Sequence, residues 1–231
     1  MYRRVLLKLS GETLSGENRR GYNEEKVEYV VGELRKVMNE EVQMGIVIGA
    51  GNILRGKELN ISSVMGDQMG MLGTVMNAIY LKYHLEKAGI PAVVVSEIVR
   101  SPMVKPIKYD DIEHYLQNGH IILFGGGTSN PLFTTDTAAA LRAIEMEAQL
   151  LIKATKVDGV YDKDPKKFPD AVRFEELTFQ EALNKKVKVM DMEAFSLCMR
   201  YNMPVVVMNF FERDNLLRTI RGEKVGTLVH S

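Results

Sequence analysis

The stretch Val5-Leu6-Leu7-Lys8-Leu9-Ser10-Gly11-Glu12 decides how the fold is read. Val5–Leu9 is apolar throughout except for one lysine, the pattern of a strand covered on both faces. Similar short runs return at Ile46–Ile48, Ala92–Val95, Ile121–Phe124, Leu150–Lys153 and Pro204–Met208. Between the first two, Asn23–Gln43 carries Val27, Val30, Val31, Leu34, Val37 and Met38 at steps of three and four, one apolar face of a helix. Asn23, with Glu24 and Glu25 behind it, reads as the helix start and Gly45 as its stop. Further helices are predicted at Asp67–Lys87, Tyr109–Gln117, Asp136–Glu147, Thr178–Asn184 and Met190–Tyr201. Buried strands alternating with helices predict an α/β protein, a three-layer α/β/α sandwich around a mostly parallel sheet. No linker or repeat interrupts the pattern, so residues 1–231 are read as one domain.

In such sheets ligands bind beyond the carboxyl ends of the strands, and four of those ends carry unusual chemistry. At the first, Lys8 is costly inside an apolar strand unless its charge has a partner. A polyphosphate is such a partner, with Ser10 and Gly11 offering backbone N–H groups; a lysine snorkelling from an edge strand is the plainer reading. The second end reads Gly49-Ala50-Gly51-Asn52-Ile53-Leu54-Arg55-Gly56, small residues before a cation. It fails as a dinucleotide fingerprint because Leu54 replaces the third glycine. It fails as a Walker loop because Glu58 stands where a Ser or Thr must hold magnesium.

The third end runs Gly125-Gly126-Gly127-Thr128-Ser129-Asn130-Pro131-Leu132-Phe133-Thr134-Thr135-Asp136. Its glycines permit positive φ or close backbone approach, and the polar cluster supplies donors and acceptors. A loop with Asp136 as a helix N-cap is the simpler alternative, though it leaves the polar run unexplained. The fourth reads Lys153-Ala154-Thr155-Lys156-Val157-Asp158-Gly159-Val160-Tyr161-Asp162-Lys163-Asp164, where a second lysine closes a buried strand. Asp158-Gly159 signals a turn, and Tyr161 either faces a base or simply packs.

Composition narrows the function classes. A chain of 231 residues, 45% hydrophobic and 26% charged, can bury a sizeable core. With 30 basic and 30 acidic residues it has no basic surplus for nucleic acid. The single cysteine, Cys198, excludes an intrachain disulfide and sits in the apolar run Phe195–Met199, where it is expected to be buried. The four histidines have neither zincin spacing nor cysteine partners. Arg3-Arg4 and Val5–Leu7 imitate a signal peptide until Lys8 cuts the run, and no apolar run is long enough to span a bilayer. A soluble, cytoplasmic protein is expected.

Taken together, these segments resemble the bacterial UMP kinase family of the amino-acid-kinase superfamily over essentially the whole chain. Lysine then glycine at the first strand and Lys153-x-x-x-x-Asp158-Gly159-Val160-Tyr161 mark the superfamily. Gly66-Asp67-Gln68-Met69-Gly70-Met71, the run Asn130–Asp136 and Lys188-Val189-Met190-Asp191 mark the narrower family. The resemblance implies an amino-acid-kinase fold and transfer of the ATP γ-phosphoryl group to UMP in pyrimidine nucleotide biosynthesis, with Mg²⁺ carried by the ATP phosphates. It implies ATP contacts at Lys8, Leu9, Ser10, Gly11, Gly51 and Arg55, with Thr155, Tyr161 and Asp164 near the nucleoside. It implies UMP contacts at Ala50, at Asp67 on the ribose, and at Thr128, Ser129, Asn130, Pro131, Leu132, Phe133, Thr134 and Thr135. Lys8 and Lys153 are then the transition-state cations, organised by Asp191, with Asp136 in the same network. The family also implies a homohexamer, in which the Met-rich region Met65–Met76 would supply subunit contact or core. Regulation by GTP and UTP is implied too, although Gly16, Glu17, Gly21 and Tyr22 lie in a segment longer than its family counterpart.

Chemistry independent of the resemblance agrees. A nucleoside monophosphate has a second pKa of about 6, so its phosphate is already a nucleophile at neutral pH and needs no general base. The obstacle is repulsion between polyanions, which cations relieve. The competing readings are a carbamate or acetylglutamate type of kinase on the same fold, and a nucleotide sensor without turnover.

Overall fold

The computed structural model describes residues 1–17, 19–54 and 60–231. Among them, nine strands form one sheet: β1 Arg4–Leu9, β2 Gln43–Ile48, β3 Ala92–Val95, β4 Val104–Lys105, β5 Ile121–Phe124, β6 Leu150–Thr155, β7 Glu176–Thr178, β8 Val205–Asn209 and β9 Thr227–His230. Their spatial order is β4-β3-β5-β2-β1-β6-β8-β9-β7. Every neighbouring pair is parallel except β8 with β9, which reverses the direction of the last two strands. The helices are α1 Glu24–Met38, α2 Ser63–Lys87, α3 Tyr109–Gln117, α4 Thr135–Glu145, α5 Phe179–Asn184, α6 Met192–Arg200 and α7 Asn215–Ile220, with a 3₁₀ turn at Gly11–Leu14.

Alternate strand residues enter opposite layers, as the period of two requires. Val5, Leu7, Leu9, Ile46 and Ile48 pack with Val27 and Leu34 of α1, Leu81 of α2 and Leu216 of α7. Leu6, Val47, Phe124 and Leu151 pack on the other face against Ile112 of α3, Ala139 of α4, Ala182 of α5 and Phe195 of α6. The result is the expected three-layer α/β/α sandwich. Parity also settles where Lys8 points. It shares the face of Leu6, and it pairs directly in register with Lys153, which shares the face of Leu151. Two lysines remote in sequence thus stand side by side on neighbouring strands, roughly 5 Å apart in the hydrogen-bonding direction, beneath α4.

Asn23 caps α1 as read, its side chain accepting from Lys26 N at 3.0 Å. The helix, however, ends at Met38, and Gln43 already belongs to β2. The break falls at Glu41, in the left-handed region at φ 56°, where no glycine announces it. Gly45 is therefore not a helix stop. It lies inside β2, where a Cβ would come within 2.9 Å of the Phe124 ring. α2 starts earlier than Asp67, with Ser62 as its cap. Strands β4, β7 and β9 and helix α7 went unread in the sequence.

Candidate active site

Lys8 Nζ lies 2.8 Å from Asp136 Oδ1, and Lys153 Nζ donates to Asp136 Oδ2 at 2.7 Å and to the Val189 carbonyl at 2.8 Å. The side chains are 14–19% exposed, so the cluster is largely withdrawn from water. Burial pushes the Asp136 carboxyl up, but the two ammonium groups outweigh it and hold the carboxyl below its ordinary value. Lys153 moves below its ordinary value as well: burial disfavours its charge by more than the attraction of Asp136 restores, and Lys8 adds a smaller repulsion. Two cations against one carboxylate leave an excess positive charge at a helix N-terminus, a local field that an anion would relieve.

Asp136 is free for this work because it is not the cap of α4. Thr134 is, its hydroxyl accepting from Asp136 N at 3.0 Å and Thr137 N at 3.4 Å. Thr134 in turn donates to Asp191 Oδ2. Asp191 Oδ1 accepts from Thr137 Oγ1 at 2.9 Å and from Ala194 N at 2.8 Å, capping α6. Among the described residues Asp191 makes no ion pair with either lysine. It is Asp136 that stands between the lysines, while Asp191 ties α6 to the start of α4 behind it.

Two cavities flank the cluster. One, of about 200 Å³, is lined by Ala50, Gly51, Asp67, Thr74, Gly127 and Phe133 among others, with Thr134 and Thr135 closing its inner side. Asp67, in the first turns of α2, accepts from Leu132 N at 2.8 Å. That bond holds the loop 128–135 over the cavity, with Leu132 and Ser129 both at positive φ. Thr128 and Asn130 spend their polar groups within the loop, Thr128 Oγ1 donating to Asn130 O at 3.0 Å and Asn130 Nδ2 to Thr128 O at 3.3 Å. Pro131 completes the bend between Asn130 and Leu132.

The second cavity, about 340 Å³, lies beyond β6 and is lined by Gly159, Tyr161, Asp164, Lys186, Val187 and Lys188 among others. Tyr161 Oη donates to Asp158 Oδ1 at 2.7 Å, which fixes the ring. Thr155 sits at the strand end with its hydroxyl donating to Val157 O at 2.7 Å, beside this cavity rather than in its wall. Leu9 is buried in β1, and Ser10 caps the 3₁₀ turn that begins at Gly11. A Cβ on Gly11 would collide with the carbonyl of Gly49 and the side chain of Asn52, so the two strand-end loops touch only because the residue is glycine. Arg55 lies outside the described residues. A larger cavity of about 650 Å³ opens at the opposite end of the sheet, around Met38, Gln43 and Ile90. It adjoins the start of β2, far from the lysines, and takes no part in this chemistry.

Sequence reading missed the residues that hold these loops. Asn52 and Asn77 are fully buried and bond reciprocally, Asn77 Nδ2 to Asn52 Oδ1 at 2.7 Å and Asn52 Nδ2 to Asn77 Oδ1 at 3.1 Å. Asn77 also donates to Gly49 O at 2.7 Å, and Asn52 to Gly21 O at 2.9 Å. Gly21, at φ 65°, donates back to Asn52 O at 2.9 Å. Next to it Tyr22 stacks on Tyr80 of α2, with ring centroids 3.7 Å apart. Thus Gly21 and Tyr22 are docked against the Gly49–Asn52 turn and α2, whereas Gly16 and Glu17 have no such contact among the described residues. The signal for Asn77 was present: an amide inside the apolar run Val75–Leu81 must have a partner if buried.

Paired cations at strand ends beside a helix N-terminus, with cavities nearby, are the arrangement a phosphoryl-transfer enzyme on an α/β/α sandwich calls for. A family model described as the amino acid kinase family matches residues 3–209, and the chain belongs to that family. Within it, the chain is 59% identical over 230 residues to the uridylate kinase of Fervidobacterium nodosum, covering 99% of this chain and 98% of that protein. It is 58% identical to the uridylate kinase of Thermosipho melanesiensis, covering 99% of each. The crystal structure of UMP kinase from Bacillus anthracis superposes with a TM-score of 0.96 at 35% identity, covering 99% of this chain and 96% of that one.

Proposed function

We propose that the chain, acting as one domain, is a nucleoside monophosphate kinase that transfers the γ-phosphoryl group of ATP to UMP, giving UDP and ADP. The observation that carries this reading is the Lys8–Asp136–Lys153 cluster set between two cavities. The cavity beneath Asp67 and the loop 128–135 takes UMP, with Ala50 offering backbone and Asp67 facing the ribose hydroxyls. Thr128, Ser129, Asn130, Pro131, Leu132, Phe133 and Thr135 surround the base and phosphate, and Thr134 contributes backbone because its hydroxyl already caps α4. The cavity beyond β6 takes the ATP nucleoside, with Tyr161 and Asp164 in its wall and Thr155 beside it. Lys8, Leu9, Ser10, Gly11, Gly51 and Arg55 follow the phosphates.

An oxygen of the UMP phosphate attacks the γ-phosphorus, the bond to the ADP oxygen breaks in line, and no phosphoenzyme forms. Lys8 and Lys153 neutralise charge as it shifts toward ADP, held at the correct separation by Asp136; Asp191 acts through Thr134 and Thr137. Mg²⁺ bound to the ATP phosphates supplies further neutralisation. The donor set supports a nucleotide-borne ion, since Asp136 is engaged by lysines and Asp191 by hydroxyls and an amide.

We read the enzyme as cytoplasmic, where its nucleotides are, and no described helix is long and apolar enough to cross a membrane. A homohexamer is supported by α2, whose exposed Met65, Met69, Leu72, Met76 and Tyr83 recur at heptad-like steps suited to a second copy. GTP activation through Gly16, Glu17, Gly21 and Tyr22 is supported by the attachment of Gly21 to Asn52, one residue from Gly51. UTP inhibition is supported by its sharing uracil and ribose with UMP.

The test is ADP release with ATP-Mg²⁺ and a panel of UMP, CMP, dTMP, carbamate and acetylglutamate. Turnover confined to UMP is expected. Turnover on a carboxylate or carbamate would overturn the acceptor assignment, and ATP binding without any turnover would leave a sensor.

A further inference from the structure

Three polar side chains of α2 serve the acceptor cavity: Asp67 and Thr74 line it, Asn77 is buried outside its wall, and only Asp67 offers an oxygen to a ligand in the reading above. The other two, Thr74 and Asn77, stand three residues apart on the same face of the helix. Thr74 is 4% exposed, and its hydroxyl is fully used: Oγ1 accepts from Gly126 N at 2.8 Å and donates to Met71 O at 2.7 Å. Asn77 grips the other loop, donating to Gly49 O and to Asn52. Gly126 is at φ 87° and opens the loop that becomes 128–135; Gly49 opens the turn that carries Ala50 and Gly51. Both loops press closely on the helix. A Cβ on Gly73 would lie 2.9 Å from Ala50 Cβ, and one on Gly125 would lie 3.0 Å from Val75 Cα.

Resting on the acceptor assignment, we infer that Thr74 and Asn77 are positioning residues that set the separation and tilt of the two backbone segments closing on UMP. Neither touches the nucleotide. Each fixes one strand-end loop to a common rigid rail, so the backbone groups of Ala50 and of the 128–135 loop are already placed before UMP arrives. Among the described residues the cavity beyond β6 has no such attachment to α2, so the effect of losing the Thr74 grip falls on UMP only, whereas losing Asn77 also loosens the turn that carries Gly51.

The experiment measures half-saturation for UMP and for ATP, with melting temperature, in Thr74→Val, Thr74→Ser and Asn77→Ala. Losing the Thr74 hydroxyl frees a buried amide to relax, and a rise of roughly tenfold in UMP half-saturation is expected, against no more than about twofold for ATP. Thr74→Ser keeps the hydroxyl and is expected to return to parent values. If both half-saturations move together in Thr74→Val, if Ser is as impaired as Val, or if only the melting temperature falls, the inference is overturned. Should Asn77→Ala fail to fold, the near-isosteric Thr74→Val decides. The parent protein run alongside separates the two failures: no UMP turnover there overturns the acceptor assignment, whereas normal turnover without the split overturns only the positioning role.

Discussion

The two cavities beside the lysine cluster are built in contrasting ways. The side proposed for UMP is assembled around a 25-residue helix whose Asn77, Thr74 and Asp67 side chains reach out to backbone atoms at Gly49, Gly126 and Leu132. The side proposed for ATP is a long excursion between β6 and β7, pinned where Thr227 Oγ1 accepts from Val160 N at 2.8 Å and where Tyr161 bridges to Arg173. Beyond those ties Asp162, Asp164 and Pro165 are exposed, and the exposed ammonium groups of Lys186 and Lys188 stand at the rim. The difference teaches where selectivity is built. A rigid, hydrogen-bonded wall can reject the wrong acceptor, while a looser aromatic and cationic rim holds a nucleotide chiefly by stacking and charge.

The largest effect should come from the cluster that both sides share. Lys8→Ala is expected to lower turnover by roughly 10²–10³ with modest change in either half-saturation, as for loss of one contact made in the transition state. Near-normal turnover would remove Lys8 from the chemistry. The pH profile of kcat/KM comes next. Its acidic limb should fall near pH 6, where the UMP phosphate takes up a proton. Its alkaline limb should begin below the ordinary lysine value, because the folded-state pKa of Lys153 is depressed and its charge is lost as pH rises through that value. In Lys153→Arg the alkaline limb should retreat; an unmoved limb would assign it to another group.

A crossed pair then sharpens the contrast between sides. Asp67→Asn should raise UMP half-saturation roughly tenfold and leave ATP alone. Tyr161→Ala should raise ATP half-saturation about fivefold through lost ring contact, and leave UMP alone. Crossed or equal effects would break the assignment of the cavities. The smallest effect expected is none at all. Burial pushes the Cys198 thiol up to about 12, so it should resist alkylation at pH 8 until the protein unfolds. Labelling at the rate of a free thiol in the native protein would contradict its burial between α6 and α4.

Much of this was legible because buried parallel strands have an unambiguous signature. β3 and β5 begin and end where their apolar runs do, and α3 matches its predicted span. β4, β7 and β9 escaped because they lie at or near the margins of the sheet, are two to four residues long, and place at least half their residues in the intermediate or exposed range. The lysines were readable as charges with no local partner. The distribution of roles between Asp136 and Asp191 was not, since it depends on Thr134 taking the cap and leaving Asp136 free. The partners of Thr74 and Asn77 were invisible for a similar reason: a helical pattern shows that a polar residue is buried, but not which distant carbonyl or amide it meets.

The position of β1 in the middle of the sheet has a consequence for how the chain is made. β1 is synthesised first, yet its partner β6 begins at Leu150, opposite Val5. At about 5–20 residues per second, a ribosome needs roughly 7–30 s to deliver those intervening residues. Through that interval one side of an almost wholly apolar strand is left unpaired, a template for the wrong neighbour. Lys8 sits on that strand, and a charge in such a place discourages pairing with another nascent chain. The side chain that later pairs with Asp136 guards the unfinished sheet first.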